Sequence, residues 1–491
     1  MRLLLPIIIL FTSLTGYTQS SDSTFVEFST SGYQTWVVAT MGTKGVLLSA
    51  HNSRKSSRRQ VWEITGFNAN LEESWKTETN VPNRQKFSKW EQDHQGVALL
   101  FRDERKGSYT LIYANHLSQE VQKHQGNLIP GAAIESMQVM NGMVYLGGAF
   151  KKTPFLAVID PENKRQQVQL PGVGKNQSLE GLRADTSQQR VRGFVRQCHQ
   201  NACHLKVLQF GPNGKSLGEI TFANDDDEHS LHTGSVHRVE DGRELLFGTW
   251  SEPRSKAVKG LFLAGIQQES VDFMEYYPLK ELGRTPMNNR QEALKARQDP
   301  NEPPNLREPL SDRHQFLLHP IKDYQGQWVI IAEAYHRTYR TETYMATGAN
   351  GQPVVATREI FDGYRFTHTL VASIDQKGQL LWHYILPMES SKSISLRHRV
   401  HVRELQEKLQ LEFPSGNRIV VLNIDSVRTR AFRSDPLQFS PYPLNQNEVG
   451  AIFDSAHWFG TYWLSWGIQT KPGRQKGQRS EIFFLKRLQK V

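Results

Sequence analysis

Short segments of alternating apolar and polar residues recur along the whole chain, and a polar turn joins them in pairs. Alternation with a period of two predicts β-strands, whereas the period of an amphipathic helix is nearly absent. The strand pairs recur at roughly 45 to 60 residues, a spacing typical of repeat architectures. The eight units start at Glu63, Thr110, Phe155, Leu205, Leu261, Leu370, Ile419 and Ile482.

A further apolar stretch precedes each pair and is long enough to supply two more strands. Examples are GVLLSAHN from Gly45 and WVIIAEAY from Trp328. Four strands per unit at this spacing are typical of propeller blades rather than of sandwiches. The sequence therefore predicts an all-β protein, a β-propeller of eight blades. Seven blades is the alternative, should one unit be irregular.

The last unit has no outer strand, because the sequence ends at Val491. Residues 23–30, STFVEFST, offer a spare strand near the other terminus. Pairing these two strands would close the ring and hide two strand edges that otherwise promote aggregation. We therefore expect the ring to be closed by the N-terminal strand.

The first 19 residues have the pattern of a secretory signal peptide. Arg2 precedes a run of apolar residues from Leu3 to Phe11, and small and polar residues follow. A buried N-terminal strand is the alternative. Export predicts a mature domain of residues 20–491, with no lipid anchor because no cysteine comes directly after the apolar run.

Two segments interrupt the repeat. Residues 280–313 are rich in Pro, Asn, Arg and Glu and bracket one short predicted helix, at 289–297. Residues 339–366 contain the turn signal Asn350-Gly351 between stretches of high strand propensity, which predicts a projecting β-hairpin. Long structured insertions often carry function. The candidate interface residues at this hairpin are Arg337, Tyr339, Arg340, Tyr344, Arg358, Tyr364 and Arg365, a composition that suits protein interfaces and sugar stacking.

The chain is basic, with 59 Lys and Arg against 49 Asp and Glu and a net charge of +10. Basic clusters occur at 54–59, 397–403 and 471–479. They indicate either an anionic partner, such as a glycan, a lipid or an acidic protein surface, or three solvated loops. Export argues against nucleic acid as a partner.

The only two cysteines, Cys198 and Cys203, flank the tip of a predicted hairpin. They would face each other across two antiparallel strands, and an exported chain meets oxidising conditions. A metal site would add His199 and His204, but successive strand residues point to opposite faces. This pattern favours a disulfide over a metal site.

The remaining motifs indicate turns and loops rather than catalytic or ligand-binding sites. GPNGKS at 211–216 has two residues between its glycines, not the four of a phosphate-binding loop, and predicts a hairpin turn. His229, His232 and His237 follow an acidic run at 224–228 without the spacing of a known metal loop, which favours a solvated loop. We predict no catalytic, metal or cofactor residue, although propeller enzymes assemble sites from distant loops.

SIDQKGQLLWHY resembles the repeat of the PQQ-type propellers through Asp375, Gly378 and Trp382. Only one other unit, at 68–75, keeps the tryptophan, so the family's cofactor is not implied. This eight-bladed type includes BamB-like, non-enzymatic scaffolds of outer-membrane assembly. The C-terminal third, with YWLSWGIQTK from Tyr462, also resembles a group of exported proteins of Gram-negative bacteria that brings no known activity.

These observations predict a non-enzymatic binding or scaffold protein in the periplasm or at the outer-membrane periphery of a Gram-negative bacterium. Its expected partner is an envelope assembly or secretion complex. The alternative is a secreted glycan-active enzyme or lectin with its site at the mouth of the propeller.

Overall fold

The protein consists almost wholly of antiparallel β-sheet in the computed structural model. Its helical elements in the described residues are α1 (Leu279–Leu282) and the 3₁₀ turn Gly42–Lys44, and no described helix is long and apolar enough to cross a membrane. The structure describes residues 24–490 except 55–58, 170–175, 200–201, 223–227, 240–241, 254, 256, 268–269, 283–312, 348–351, 394–395, 406–407, 416–417, 426–429, 437–438, 440, 442–451 and 473–478.

Eight sheets follow one another along the chain, and each has a four-stranded path. Blade 1 contains β2 (Tyr33–Thr40), β3 (Val46–Asn52), β4 (Arg59–Phe67) and β5 (Glu73–Pro82). Blade 2 contains β6 (Lys86–Gln92), β7 (Gly96–Arg102), β8 (Ser108–Asn115) and β9 (Val121–Asn127). Blade 3 contains β10 (Ala133–Met140), β11 (Met143–Phe150), β12 (Thr153–Asp160) and β13 (Arg165–Gln169). Blade 4 contains β14 (Gln177–Asp185), β15 (Arg190–His199), β16 (Ala202–Phe210) and β17 (Ser216–Phe222).

The remaining four sheets confirm the predicted eight-bladed propeller. Blade 5 contains β18 (Ser230–Arg238), β19 (Glu244–Ser251), β20 (Gly260–Gln267) and β21 (Ser270–Pro278). Blade 6 contains β22 (Gln315–Leu318), β24 (Gln327–Thr347), β25 (Pro353–Ile374) and β26 (Leu380–Ser393), with the short β23 (Lys322–Tyr324) paired to β24. Blade 7 contains β27 (His401–Leu405), β28 (Lys408–Ser415), β29 (Arg418–Asp425) and β30 (Arg430–Pro436). Blade 8 contains β31 (Ile452–Phe459), β32 (Tyr462–Pro472), β33 (Arg479–Gln489) and β1 (Phe25–Ser29).

The N-terminal strand is the outer strand of the last blade. β1 pairs antiparallel with β33, from Phe25 opposite Lys486 to Ser29 opposite Ile482. Phe28 of β1 packs with its ring 6.2 Å from that of Phe483, measured between centroids. The predicted pairing of the two terminal strands is confirmed.

The hydrophobic core lies between neighbouring sheets. The strand β7 is buried along its whole length, whereas the outer strand β5 consists of exposed and half-buried residues except for the buried Val81. One core cluster joins Leu100 and Leu111 of blade 2 to Leu146 and Phe155 of blade 3. Because each blade buries its faces against its neighbours, the stack gains most of its stability from contacts between blades.

Tyrosines connect the outer turns of successive blades. The Tyr145 hydroxyl of blade 3 donates to the Pro212 carbonyl at 2.8 Å, in the turn of blade 4. The Tyr277 hydroxyl of blade 5 donates to the Gly378 carbonyl at 2.6 Å, in the turn of blade 6. Gly378 has φ of +88° and is packed against β21, which leaves no room for a side chain. The hairpin turn predicted at 211–216 is confirmed by the pairing of β16 with β17.

Three predicted features lie outside the described residues. They are the signal peptide at 1–19, the helix at 289–297 within the insertion 280–313, and the turn at Asn350-Gly351.

Candidate functional site

Blade 6 extends into a two-stranded ribbon. The pairing of β24 with β25 continues to Thr347 opposite Pro353. β22 pairs with β24 only as far as Tyr335, and β26 pairs with β25 only as far as Tyr364. We call residues 339–347 and 353–361 the ribbon. In the described part of the chain, these two stretches pair only with each other.

Two apolar residue pairs are exposed to solvent on one face of the ribbon. Directly opposed residues share a face of an antiparallel pair, and faces alternate along each strand. Tyr339 opposes Phe361, and Met345 opposes Val355, all on the same face. Their exposed fractions are 53%, 42%, 64% and 68% in that order. The exposed pairs Thr341–Glu359 and Thr343–Thr357 lie between them on that face. We call the four apolar residues the apolar face.

The opposite face of the ribbon has a charged pair. The Arg358 guanidinium donates to the Glu342 carboxylate at 2.5 and 2.8 Å and lies 5.3 Å from the centre of the Tyr344 ring. Tyr344 and Arg358 of the predicted interface therefore contact each other. Both side chains remain exposed.

The other predicted interface residues divide between solvent and the protein. Arg340 and Arg365 are exposed on the two strands. Tyr364 is half-buried, and its ring lies 5.1 Å from that of Phe361, so it supports the base of the ribbon. Arg337 is exposed to solvent yet lies near the centre of the propeller, close enough for its charge to lower the pKa of Lys89 on β6, where burial is the larger cause.

The basic cluster at 397–403 lies at the centre of the propeller and not in a solvated loop, so that interpretation was wrong. Arg397 donates to the Gln92 side chain at 2.9 Å and to Glu91 at 3.3 Å, and its guanidinium lies 3.6 Å from the Trp90 ring centre. Blades 7 and 2 are not neighbours in chain order, so this contact crosses the centre. Arg399 is buried and forms an ion pair with Asp454 of blade 8.

A buried carboxylate lies beside this arginine cluster. Glu333 of β24 is fully buried, and its Oε1 lies 2.5 Å from Nε2 of His319 and 3.4 Å from Nδ1 of His398. Burial alone would raise the pKa of Glu333, but hydrogen bonds from the two imidazoles and their charge outweigh it and lower that pKa to about 2. Burial and the charge of His319 lower the pKa of His398 to about 4.

Sequence reasoning missed this cluster. Its three residues are 14 and 65 positions apart along the chain, and no metal-loop or catalytic spacing connects them. A signal was nonetheless present, because Glu333 interrupts the otherwise apolar stretch WVIIAEAY. A charged residue inside a predicted buried strand needs partners, since an unpaired buried charge is costly.

The three histidines of the predicted solvated loop have separate packing roles. His229 stacks on Tyr276 with ring centroids 3.9 Å apart, and His232 bonds to the Ser251 hydroxyl at 2.6 Å. His232 and His237 belong to strand β18, so the loop interpretation was wrong for them. The three side chains do not form a common ligand set.

Cys198 and Cys203 are directly opposed in the pairing of β15 with β16, and the structure joins them in a disulfide. Their Cα atoms are 4.0 Å apart. The bond lies at the tip of blade 4, at the end of the strand pair away from the β16–β17 turn.

No model of a known protein family matches the sequence, and no curated protein matches it. Solved structures of propellers do. The WD40 domain of SCAP from fission yeast is 8% identical, with a TM-score of 0.39, covering 95% of this chain and 98% of that one. The Dos1 propeller is 10% identical, with a TM-score of 0.39, covering 79% and 78%. The propeller domain of the Trilobed protease from Pyrococcus furiosus is 10% identical, with a TM-score of 0.33, covering 83% and 96%. Similarity at this level is to the fold alone.

Proposed function

We propose that this propeller is a non-enzymatic binding protein of the bacterial envelope that holds a protein partner on the apolar face of its ribbon. The observation that carries the proposal is the exposure of four large apolar side chains, Tyr339, Met345, Val355 and Phe361, on one face of a projecting strand pair. Two exposed apolar pairs on a projecting element, with polar residues between them, support a protein interaction site there.

An isolated two-stranded ribbon is only marginally stable in water, because it has no third layer to bury its side chains. The ribbon also leaves the outer backbone edges of both strands unpaired among the described residues. A protein partner would cover the apolar face and add backbone hydrogen bonds at an edge, the two interactions that strand-addition interfaces combine. The exposed Arg340 and Arg365 favour an acidic rim on that partner.

The envelope location rests on the sequence. The apolar run from Leu3 to Phe11 supports export, and the repeat around Asp375 resembles PQQ-type propellers, which include BamB-like scaffolds of outer-membrane assembly. We therefore propose an envelope assembly or secretion complex as the partner. N-terminal sequencing of the protein from envelope fractions should find a chain that begins near Gln19, and an intact Met1 on cytosolic protein would contradict export.

The glycan-active alternative needs free polar groups at the mouth of the propeller. Arg397, the arginine that crosses the centre, instead has Gln92, Glu91 and Trp90 as partners. That arginine is therefore engaged within the protein, whereas the apolar side chains of the ribbon are exposed, and we propose the binding site there.

The test is a charge substitution on the apolar face. Met345→Lys with Val355→Lys should keep the fold, because both side chains are more than 60% exposed, yet should abolish binding by burying two unpaired charges at the interface. The matched control is Leu117→Lys, an apolar residue 57% exposed in a turn of blade 2. Binding is measured by cross-linking in envelope fractions, followed by purification and quantitative mass spectrometry.

The proposal requires a partner that the parent protein and the L117K variant retain and that the double variant loses, with equal thermal melting of all three. A partner retained by the double variant would place the interface elsewhere. Equal loss from the L117K control would mean that the added charge acts nonspecifically.

A further inference from the structure

We propose that His319, Glu333 and His398 bind a divalent transition metal ion of the zinc class, which links blade 6 to blade 7. The inference is independent of the proposed function, because none of the three residues belongs to the ribbon. One imidazole nitrogen from each histidine and one carboxylate oxygen all lie within 4.8 Å of one another.

The three ligands come from two blades. His319 follows β22 in blade 6, and its backbone N–H donates to the Ile331 carbonyl on β24 at 2.9 Å. Glu333 is on β24 itself, two residues further along. His398 belongs to the segment that leads into β27 of blade 7. An ion held by all three would therefore join the blades directly.

The arrangement of donors around Glu333 points to a cation. Its Oε1 lies within 3.4 Å of four nitrogens, namely the backbone N–H groups of Arg399 and Val400 and the ring nitrogens of His319 and His398. A carboxylate oxygen offers about two lone pairs. The Arg399 amide is shared between Oε1 and Oε2, so Oε1 keeps lone-pair capacity for a further partner. As neutral ligands, the ring nitrogens of the two imidazoles would direct lone pairs at a shared ion beside it.

The carboxylate is already held as a metal ligand would be. The Arg399 amide also donates to Oε2 of Glu333, at 2.9 Å. Hydrogen bonds of this kind orient a ligating carboxylate and are a regular part of metal sites. Because both oxygens are fixed by the backbone of blade 7, Glu333 keeps its position while the imidazoles adjust.

The required adjustment is small. An ion about 2.0 to 2.2 Å from each ligand atom separates those atoms by roughly 3.3 Å. The distance between His398 and Glu333 is already 3.4 Å, and the distance between His319 and Glu333 must open from 2.5 Å by about 1 Å. The ring nitrogens of His319 and His398 lie within 4.8 Å of each other, so they must approach by at most about 1.5 Å.

An adjacent cavity gives the ion access. A cavity of about 250 Å³ is lined by His398, His401, Asp454 and His457, among other residues. The side chain of His398 is 39% exposed, whereas His319 and Glu333 are buried. Three protein ligands leave the fourth position of a tetrahedral zinc site for water, and imidazole with carboxylate suits zinc over magnesium or calcium.

The experiment titrates the full-length protein, stripped with a chelator, with Zn²⁺ and with Co²⁺ as a spectroscopic probe. We expect one equivalent of Zn²⁺ by calorimetry, visible absorption of four-coordinate Co²⁺, and a higher melting temperature with Zn²⁺. His398→Ala and His319→Asn should each weaken binding at least tenfold. His398→Ala changes a partly exposed side chain and should fold. It therefore tests the proposal even if the variant of the buried His319 fails to fold.

His457→Ala is the matched control, because His457 lines the same cavity and lies outside the proposed ligand set. It should bind Zn²⁺ as the parent does. The proposal is overturned if the parent binds no Zn²⁺ at one equivalent, if His398→Ala binds it with the parent's affinity, or if His457→Ala loses as much affinity as His398→Ala.

Discussion

The indole Nε1 of Trp458 donates a hydrogen bond of 3.0 Å to the backbone carbonyl of Gly45. Trp458 is on β31, the first strand of blade 8, and Gly45 immediately precedes β3 of blade 1. The two residues are 413 positions apart, and the bond is buried. It joins the last blade to the first independently of the pairing of β1 with β33.

We predict that Trp458→Phe lowers the free energy of unfolding by about 2 kcal/mol, because the Gly45 carbonyl loses its buried donor and the ring loses volume. Trp463→Phe is the control. The buried Nε1 of Trp463 has no acceptor among the described residues, so this variant loses ring volume alone. Chemical denaturation should show a cost about 1 kcal/mol larger for Trp458→Phe, and equal costs would contradict a role for the hydrogen bond.

The second prediction concerns a substitution of Gly45. It has φ of +124°, and a Cβ there would lie 1.8 Å from the Phe67 carbonyl oxygen, a clash with backbone that cannot move freely. Gly45→Ala should therefore cost more than about 3 kcal/mol or prevent folding. Gly42→Ala, three residues away, also has positive φ but open space around its Cβ, and should cost only about 1 kcal/mol. Similar melting of the two variants would refute the steric argument.

Much of the fold could be predicted because the repeat is local. Each outer strand pair, such as the one from Leu205, carries its own alternation and turn residues, so its register needs no distant information. The spare strand at residues 23–30 could likewise be predicted from the sequence. Its residues alternate between apolar and polar, and it has no pairing partner nearby in the sequence.

The interior of the propeller could not be predicted in this way. Arg397 belongs to a run of basic residues that resembles a solvated loop, and only the fold brings it to Glu91, which is 306 positions away. Glu333 and His398 likewise meet because blades 6 and 7 are neighbours. Strand periodicity fixes which face a side chain is on but not which distant blade it contacts across the centre.

The N-terminal strand should contribute measurably to stability. Phe28 of β1 lies with its ring 5.9 Å from Phe67 and 6.0 Å from Trp36, so it packs blade 8 against blade 1. We predict that Phe28→Ala costs about 2 kcal/mol in chemical denaturation. Phe25→Ala, on the same strand but 41% exposed, should cost less than half as much. A larger cost for Phe25→Ala would show that β1 is held mainly by its end.

The disulfide should make only a small, local contribution to stability. Only five positions separate Cys198 from Cys203, and a bond that closes so short a loop restricts the unfolded chain little. We predict that the double variant Cys198→Ala, Cys203→Ala loses at most about 2 kcal/mol and folds normally. Reductant should lower the melting temperature of the parent and leave the double variant unchanged. Two free thiols in unreduced, denatured parent protein would contradict the pairing.

The last prediction concerns acid stability and His232. The Ser251 hydroxyl donates to backbone carbonyls of Glu252 and Ser255, so His232 Nε2 carries a proton and donates to Ser251. Charging the ring therefore requires a proton on Nδ1. Burial, with a smaller contribution from the charge of Arg196, lowers the pKa of His232 from 6.5 to about 4.

Because the folded-state pKa lies below the unfolded value, the unfolded chain takes up a proton first as the pH falls. His232 then has no effect on stability above about pH 6.5, and it destabilises the fold progressively between pH 6.5 and about 4, by up to about 3 kcal/mol. His232→Gln keeps a donor for Ser251 and does not titrate, so its free energy of unfolding should fall less than that of the parent over this window. His94→Gln, at an exposed site, is the control and should follow the parent curve. Parallel curves for the parent and His232→Gln, measured by denaturation at several pH values, would show that His232 is not held neutral by the fold.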